Sequence, residues 1–283
     1  MKIGIIGNGF VGSSVAFGFS AQCGCEADVK IYDKDESKST NTMEEVLSSE
    51  YIFVSVPTPS NADGSINLNI IFSLFDEINK KNGYNRKNVF LLRSTVTPGT
   101  TRKIQEHYPH LNIVFNPEFL TERSAKFDFI NQARFILGGE EKNVKKVEYL
   151  YKWRFGNTIS VLKTNFETAE MIKYMNNCYF ATKVSFLNEM YQLADKCNVR
   201  WNEAVEGFVA DSRIGHSHLN VPGPDGKLGF GGSCFPKDIQ AMRAFASSLN
   251  VDTNVLDGAW KTNLQVRPEK DWEKLIGRAV TEE

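Results

Sequence analysis

Short apolar runs separated by charged, helix-like stretches fill the first half of the chain. They fall at Lys2 to Ile6, Asp28 to Tyr32, Tyr51 to Val56, Asn88 to Leu92, Asn112 to Phe115 and Arg134 to Leu137. Alternation of this kind predicts a mostly parallel sheet with helices on both faces. Beyond about Thr164 the strand pattern stops. Asn165 to Cys197 reads as one long helix, followed by helical stretches near Trp201 to Ala210, Pro236 to Asn250 and Thr253 to Gln265. The expected organisation is therefore an α/β domain over 1–164 and an all-helical domain over 165–283. The only Pro/Gly-rich stretch is Val221 to Gly232.

Composition narrows the function classes. At 283 residues, 41% hydrophobic, 24% charged and with a net charge of -1, the chain has room for two domains and offers no nucleic-acid footprint or polybasic membrane patch. The apolar N-terminus has early glycines and no small-residue cleavage site, so it reads as strand, turn and helix rather than as a signal peptide. No apolar run reaches the length of a membrane span. Five cysteines, at 23, 25, 178, 197 and 234, are odd in number and lack metal-ligand spacing. They fit reduced thiols in a cytoplasmic protein and give no metal site.

Chemistry enters at the first turn. Gly7-Asn8-Gly9-Phe10-Val11-Gly12 follows the first strand and opens a helix, and Asp33, at the end of the second strand, stands 21 residues beyond Gly12. A glycine turn at a helix N-terminus accepts a pyrophosphate, and an acid at this spacing accepts hydrogen bonds from a ribose. Asp33 favours NAD over NADP, and the adjacent Lys34 softens that preference.

Four further groups of residues carry chemistry. In Gly229 to Asp238, GFGGSCFPKD, glycines precede Cys234, and Pro236 suits a first helical turn. A thiol near a helix N-terminus with Lys237 close by feels positive potential that favours the thiolate, although a lone cysteine of this kind is more often structural. Glu170, Lys173 and Asn177 share one face of the long helix, either a solvated face or donors to a developing oxyanion. In Asn116 to Glu122, at the C-terminal end of a predicted strand, Glu118 and Glu122 would share a face if the chain turns helically after Pro117, and could serve as acid or base. Thr95, in Arg93 to Gly99, also follows a strand and could hold a water or a ribose hydroxyl.

Taken together, the dinucleotide fingerprint, Val56 to Pro59 (VPTP), Arg93 to Gly99 (RSTVTPG), Asn116 to Leu120 (NPEFL), the Lys173 and Asn177 pair and GFGGSCFPKD resemble the UDP-glucose 6-dehydrogenase family of nucleotide-sugar dehydrogenases. The resemblance runs from Met1 to about Gln265. It implies a Rossmann-type doubly wound sheet followed by a helical dimerisation and substrate domain, and oxidation of a UDP-sugar alcohol to a carboxylate with two NAD. Cys234 would be the nucleophile of a thiohemiacetal and thioester. Lys173 and Asn177 would stabilise oxyanions, Asp238 would assist deprotonation or place water, Glu118 would act as acid or base, and Thr95 would hold the water.

For the cofactor the resemblance implies Gly7, Gly9, Phe10, Val11, Gly12, Asp33, Lys34, Val56, Pro57, Thr58, Thr95, Glu122 and Lys237. For the sugar nucleotide it implies Phe119, Leu120, Lys173, Asn177, Phe230 and Gly231, with Arg213 reaching a neighbouring subunit of a homodimer formed by the helices after Pro236. Three departures stand out. Relatives continue into a third domain that closes over the UDP, whereas this sequence stops at Glu283, so half of that clamp is expected to be missing. The segment between Asp33 and Tyr51 is short, and Val221 to Lys227 lengthens the loop before the cysteine. A two-electron β-hydroxyacid dehydrogenase and a catalytically silent dinucleotide-binding protein are the alternative readings. Cys234 argues against the first and the full set of site residues against the second.

Overall fold

The computed structural model describes residues 1–82 and 87–282. Seven strands among them form one sheet: β1 (Lys2–Ile6), β2 (Asp28–Tyr32), β3 (Tyr51–Val54), β4 (Val89–Leu92), β5 (Ile113–Phe115), β6 (Arg134–Gly139) and β7 (Ser160–Thr164). Their order is β2-β1-β3-β4-β5-β6-β7, and every neighbouring pair is parallel except β5 with β6. The helices are α1 (Phe10–Gly18), α2 (Met43–Leu47), α3 (Asn69–Asn82), α4 (Thr100–His107), α5 (Ala125–Ile130), α6 (Glu141–Phe155), α7 (Phe166–Lys196), α8 (Trp201–Val209), α9 (Cys234–Ser248) and α10 (Asn254–Val266).

The expected strands all form, with ends trimmed or extended by one or two residues. β7 is an addition. It is an edge strand whose side chains are mostly exposed, so Ser160-Val161-Leu162-Lys163-Thr164 carries little of the apolar signal that marks the interior strands. Between Asp33 and Tyr51 the chain finds room only for a 3-10 turn, Glu36–Lys38, and the five-residue α2, which is started by a reciprocal Thr42 and Glu45 capping box.

The chain divides into two compact units, Met1–Thr58 with Leu68–Lys173, and Pro59–Asn67 with Tyr174–Glu283. The division falls inside α7 rather than at its start. In the first unit β3 and β4 are buried at every position, because helices cover both faces of the sheet. One face packs Ile52, Val54, Phe75, Phe90 and Leu92. The other packs Phe19, Phe53, Phe129, Phe135 and Tyr151. The second unit is helical, with a core of Ala181, Phe230, Ile239, Trp260 and Trp272. Its segment Pro59–Asn67 is pinned by the C-terminal stretch, as the Ser60 amide donates to the Ala279 carbonyl at 2.9 Å and the Thr281 amide to the Ser60 carbonyl at 2.9 Å.

In the first unit the chain crosses from β1 one way to β2, then returns past β1 to β3 on its other side. Ligands of open α/β sheets bind beyond the strand ends at such a switch point, and Gly7 to Gly12 and Val56 to Thr58 leave the sheet there.

Candidate active site

The turn after β1 is shaped by glycine. Gly7 has φ +91°, and a Cβ on Gly12 would stand 1.9 Å from the Gly7 carbonyl oxygen, so only glycine lets the first turn of α1 pack on the loop. Gly9 is the N-cap of α1, which therefore has no side-chain cap and can receive an anion. Phe10 and Val11 turn toward the core, leaving their backbone for any ligand. The Asp33 carboxylate accepts from the Asn8 amide at 2.6 Å and the Asp35 amide at 2.9 Å, tying the two ends of the fingerprint together. Lys34 is exposed. Asn8 Oδ1 is buried without a hydrogen-bond partner. An orphaned acceptor beside an uncapped helix start and a carboxylate fits a dinucleotide, with the pyrophosphate on α1 and a ribose at Asp33.

The loops after β3 and β4 are laced together. Ser94 Oγ accepts from the Val56 amide at 3.0 Å and donates to its carbonyl at 2.7 Å, while Thr58 Oγ1 donates to the Thr95 carbonyl at 2.9 Å. Thr95 is half-buried, Pro57 exposed. Lys173 and Glu118 are both buried and meet at 2.7 Å (Nζ to Oε1), and Lys173 also donates to the Glu118 carbonyl at 2.6 Å. Burial pushes the Glu118 carboxyl up, but the Lys173 charge and hydrogen bond and the Leu120 amide together hold it below its ordinary value. Phe119 lies under the Lys173 ammonium, 5.5 Å from Nζ to the ring centre, and Leu120 is buried.

Two expectations change here. The chain does not turn helically after Pro117; Glu122 begins a separate 3-10 turn, Glu122–Ser124, and is exposed, so Glu118 and Glu122 do not share a face. The internal bond from the Glu118 carboxylate to the Leu120 amide, at 2.8 Å, holds that stretch irregular. The face of α7 with Glu170, Lys173 and Asn177 is buried rather than solvated, while Met175 and Tyr179 are exposed.

In the second unit Cys234 is the first residue of α9, half-buried, with Ser233 as N-cap and its hydroxyl 3.8 Å from Sγ. Lys237 is buried and donates to the Asp238 carboxylate, which also accepts from Asn177 Nδ2 at 2.6 Å. The positive charge expected to act on the thiol is thus compensated by Asp238. Burial pushes the Cys178 thiol up to about 12, which leaves it a neutral packing residue. Gly229 and Gly232 have φ +68° and +70°, as a tight loop before the helix requires. Phe230 packs into the core, and its amide and carbonyl are taken by Asn263 at 2.7 and 3.0 Å. Arg213 is exposed and paired with Asp211 at 2.5 Å.

Sequence reasoning missed the supports. Glu170 accepts from the Gly99 amide at 2.6 Å and from the Thr101 amide and hydroxyl at 2.7 and 2.6 Å, capping α4 from α7. Lys183 donates to the carbonyls of Ile214, Gly215 and Ser217 at 3.3, 3.0 and 2.8 Å, fixing the turn that follows Arg213. Asn188 holds the Gly229 amide at 3.0 Å. The shared helix face was the one signal for Glu170; the others are long-range contacts with none.

A doubly wound sheet with a glycine turn opening α1 and an acid just past β2 is the frame of a dinucleotide-binding domain. Residues 37–154 match the NAD binding domain of the UDP-glucose/GDP-mannose dehydrogenase family, and residues 167–265 match its central domain. The chain belongs to that family. The UDP-glucose 6-dehydrogenase of Rickettsia prowazekii is 32% identical over 301 residues, an alignment covering 95% of this chain and 68% of that protein. An uncharacterised protein of Methanocaldococcus jannaschii is 35% identical over 273 residues, covering 84% of this chain and 30% of its own length. Among solved structures, a UDP-glucose dehydrogenase from Pyrobaculum islandicum superposes with a TM-score of 0.80 at 27% identity, over 97% of this chain and 70% of that one. No helix among the described residues is long and apolar enough to cross a membrane.

Proposed function

We propose that this protein oxidises the primary alcohol of a UDP-sugar, UDP-glucose first, to the carboxylate, through a thioester on Cys234. The observation that carries the reading is the half-buried Cys234 at the start of the 15-residue α9, directly after the glycine loop. A single oxidation to an aldehyde or ketone has no use for a thiol, whereas an aldehyde taken on to an acid gains from one, because the thiol adduct is a covalent intermediate that can give up a second hydride.

NAD held at Gly7 to Gly12 and Asp33, with Val56, Pro57, Thr58 and Thr95 bordering it, supplies the hydride acceptor for each oxidation. The Cys234 sulfur adds to the aldehyde carbon, and the thiol proton passes to the carbonyl oxygen. Oxidation of that thiohemiacetal removes a hydride and a proton and leaves the thioester. Water then adds, the carbon–sulfur bond breaks, and the acid departs as the thiol regains its proton. Lys173 and Asn177 donate to the oxygen that becomes negative at each addition. To do so each must exchange its resident carboxylate, Glu118 or Asp238, for substrate. Glu118, kept ionised, is the base for water held at Thr95, and Asp238 relays the thiol proton on its way to the carbonyl oxygen. Phe119, Leu120 and Gly231 contact the sugar nucleotide. The protein acts in the cytoplasm as a homodimer, to which Arg213 and the exposed apolar residues of α7 contribute.

The test is to incubate the purified protein with NAD and UDP-glucose and count NADH per sugar consumed. Two are expected. One would mean a simple alcohol dehydrogenase, and none a silent binding protein. Cys234→Ser should stop acid formation; a variant that still made sugar acid at full rate would sink the thioester.

A further inference from the structure

We propose that Arg267, clamped between Asp225 and Asp271, is the positioning residue that sets the glycine loop in front of Cys234. This rests on the reading of Cys234 as nucleophile. Arg267 lies two residues past the family's matched central domain, which ends at 265, yet it is 2% exposed. Its Nη2 donates to Asp225 Oδ2 at 2.6 Å, its Nε to Asp271 Oδ1 at 2.6 Å, and its Nη1 to the Leu228 carbonyl at 3.2 Å. The guanidinium presses on the loop itself, since a Cβ on Gly231 would stand 2.4 Å from Nη2. Asp271 also accepts from the Gly232 amide at 3.5 Å. One planar group therefore fixes Leu228, Gly231 and Gly232 at once. Its other carboxylate, Asp225, comes from the loop Val221 to Lys227, so that loop and the stretch after α10 support the cysteine loop together.

Three donors in one rigid fork cannot be reproduced by a lysine, and Arg267→Lys should behave nearly as badly as Arg267→Met. Asp225→Asn, at the half-exposed end of the clamp, keeps the fold if the arginine variants lose it. The first measurement is amide hydrogen exchange by mass spectrometry. In Arg267→Met, exchange over 229–233 should quicken by about tenfold or more while α7 is unchanged, with a smaller increase in Asp225→Asn. The second is NADH counting with hydroxylamine present to trap free aldehyde. Because only the second oxidation uses the thiol, NADH per sugar should fall from two toward one and trapped aldehyde should appear. Unchanged loop exchange in both variants overturns the proposal, and so does a loosened loop with stoichiometry still at two. Failure of the underlying chemistry shows elsewhere, as a wild type that makes no acid or a Cys234→Ser variant that still does.

Discussion

Lys173 reaches across to Glu118 and holds it twice, through the carboxylate at 2.7 Å and the main-chain carbonyl at 2.6 Å, with both side chains buried. A buried pair of this kind adds little over a well-packed apolar pair, but losing one partner leaves a bare charge inside the protein. Lys173→Met should therefore cost about 3–5 kcal/mol in urea unfolding, and adding Glu118→Gln should recover most of it. If the double variant is no more stable than the single, the two residues are not coupled.

The same pair sets an acid limit. Glu118 is held below its ordinary value in the folded chain, so its contribution is complete above the unfolded pKa and drains away as pH falls through the folded one. Wild-type stability should drop on acidification below about pH 4.5, the ordinary glutamate range, more steeply than that of the double variant. Parallel acid-titration slopes would contradict this.

Glu170 has the opposite sign. Burial, working against the amide and hydroxyl bonds from Thr101 and Gly99, pushes it up to about 7 from an ordinary 4.5. Between those values the folded chain keeps a proton that the unfolded chain has lost, so stability falls as pH rises across the window and is flat above it. Relative to Glu170→Gln, the wild type should lose up to about 3 kcal/mol between pH 4.5 and pH 7.5. A difference that stays constant over that range would show that the carboxylate titrates normally.

Gly12 offers a direct test of the cofactor turn. A Cβ there would meet the Gly7 carbonyl at 1.9 Å, and the obstacle is backbone, which cannot swing away. Gly12→Ala should weaken NAD binding, measured by calorimetry, by roughly a hundredfold, or about 3 kcal/mol. Affinity within threefold of wild type would mean that the turn is not where the cofactor sits.

The fold was legible because buried parallel strands such as Ile52-Phe53-Val54 and Phe90-Leu91-Leu92 leave unbroken apolar runs. β7 was not, since an edge strand with outward side chains looks like loop. For the site, local spacing placed Gly7, Gly12 and Asp33 correctly relative to one another because one βαβ unit contains them all. Periodicity also put Glu170, Lys173 and Asn177 on one face of α7, yet it could not say which way that face turns. Their partners Thr101, Glu118 and Asp238 lie far off in sequence, as do Arg267 and Asn188 for the glycine loop. Long-range polar pairing leaves no periodic trace.

With the polar face of α7 turned inward, its apolar residues are left outside. Met175 and Tyr179, one turn apart, are 63% and 59% exposed, and Phe186 and Leu193 continue the stripe at 47% and 57%. A second copy laid against this stripe would bury it, whereas Val255, 69% exposed on α10, marks the rival surface among the helices after Pro236. Placing charges on the true interface should weaken association at least about a hundredfold, since two carboxylates would be buried without partners. Sedimentation equilibrium on Met175→Glu/Tyr179→Glu should then show a monomer with unchanged helix content by circular dichroism, while Val255→Glu stays dimeric. The reverse outcome would move the interface to α10, and a wild type that sediments as a monomer would remove it.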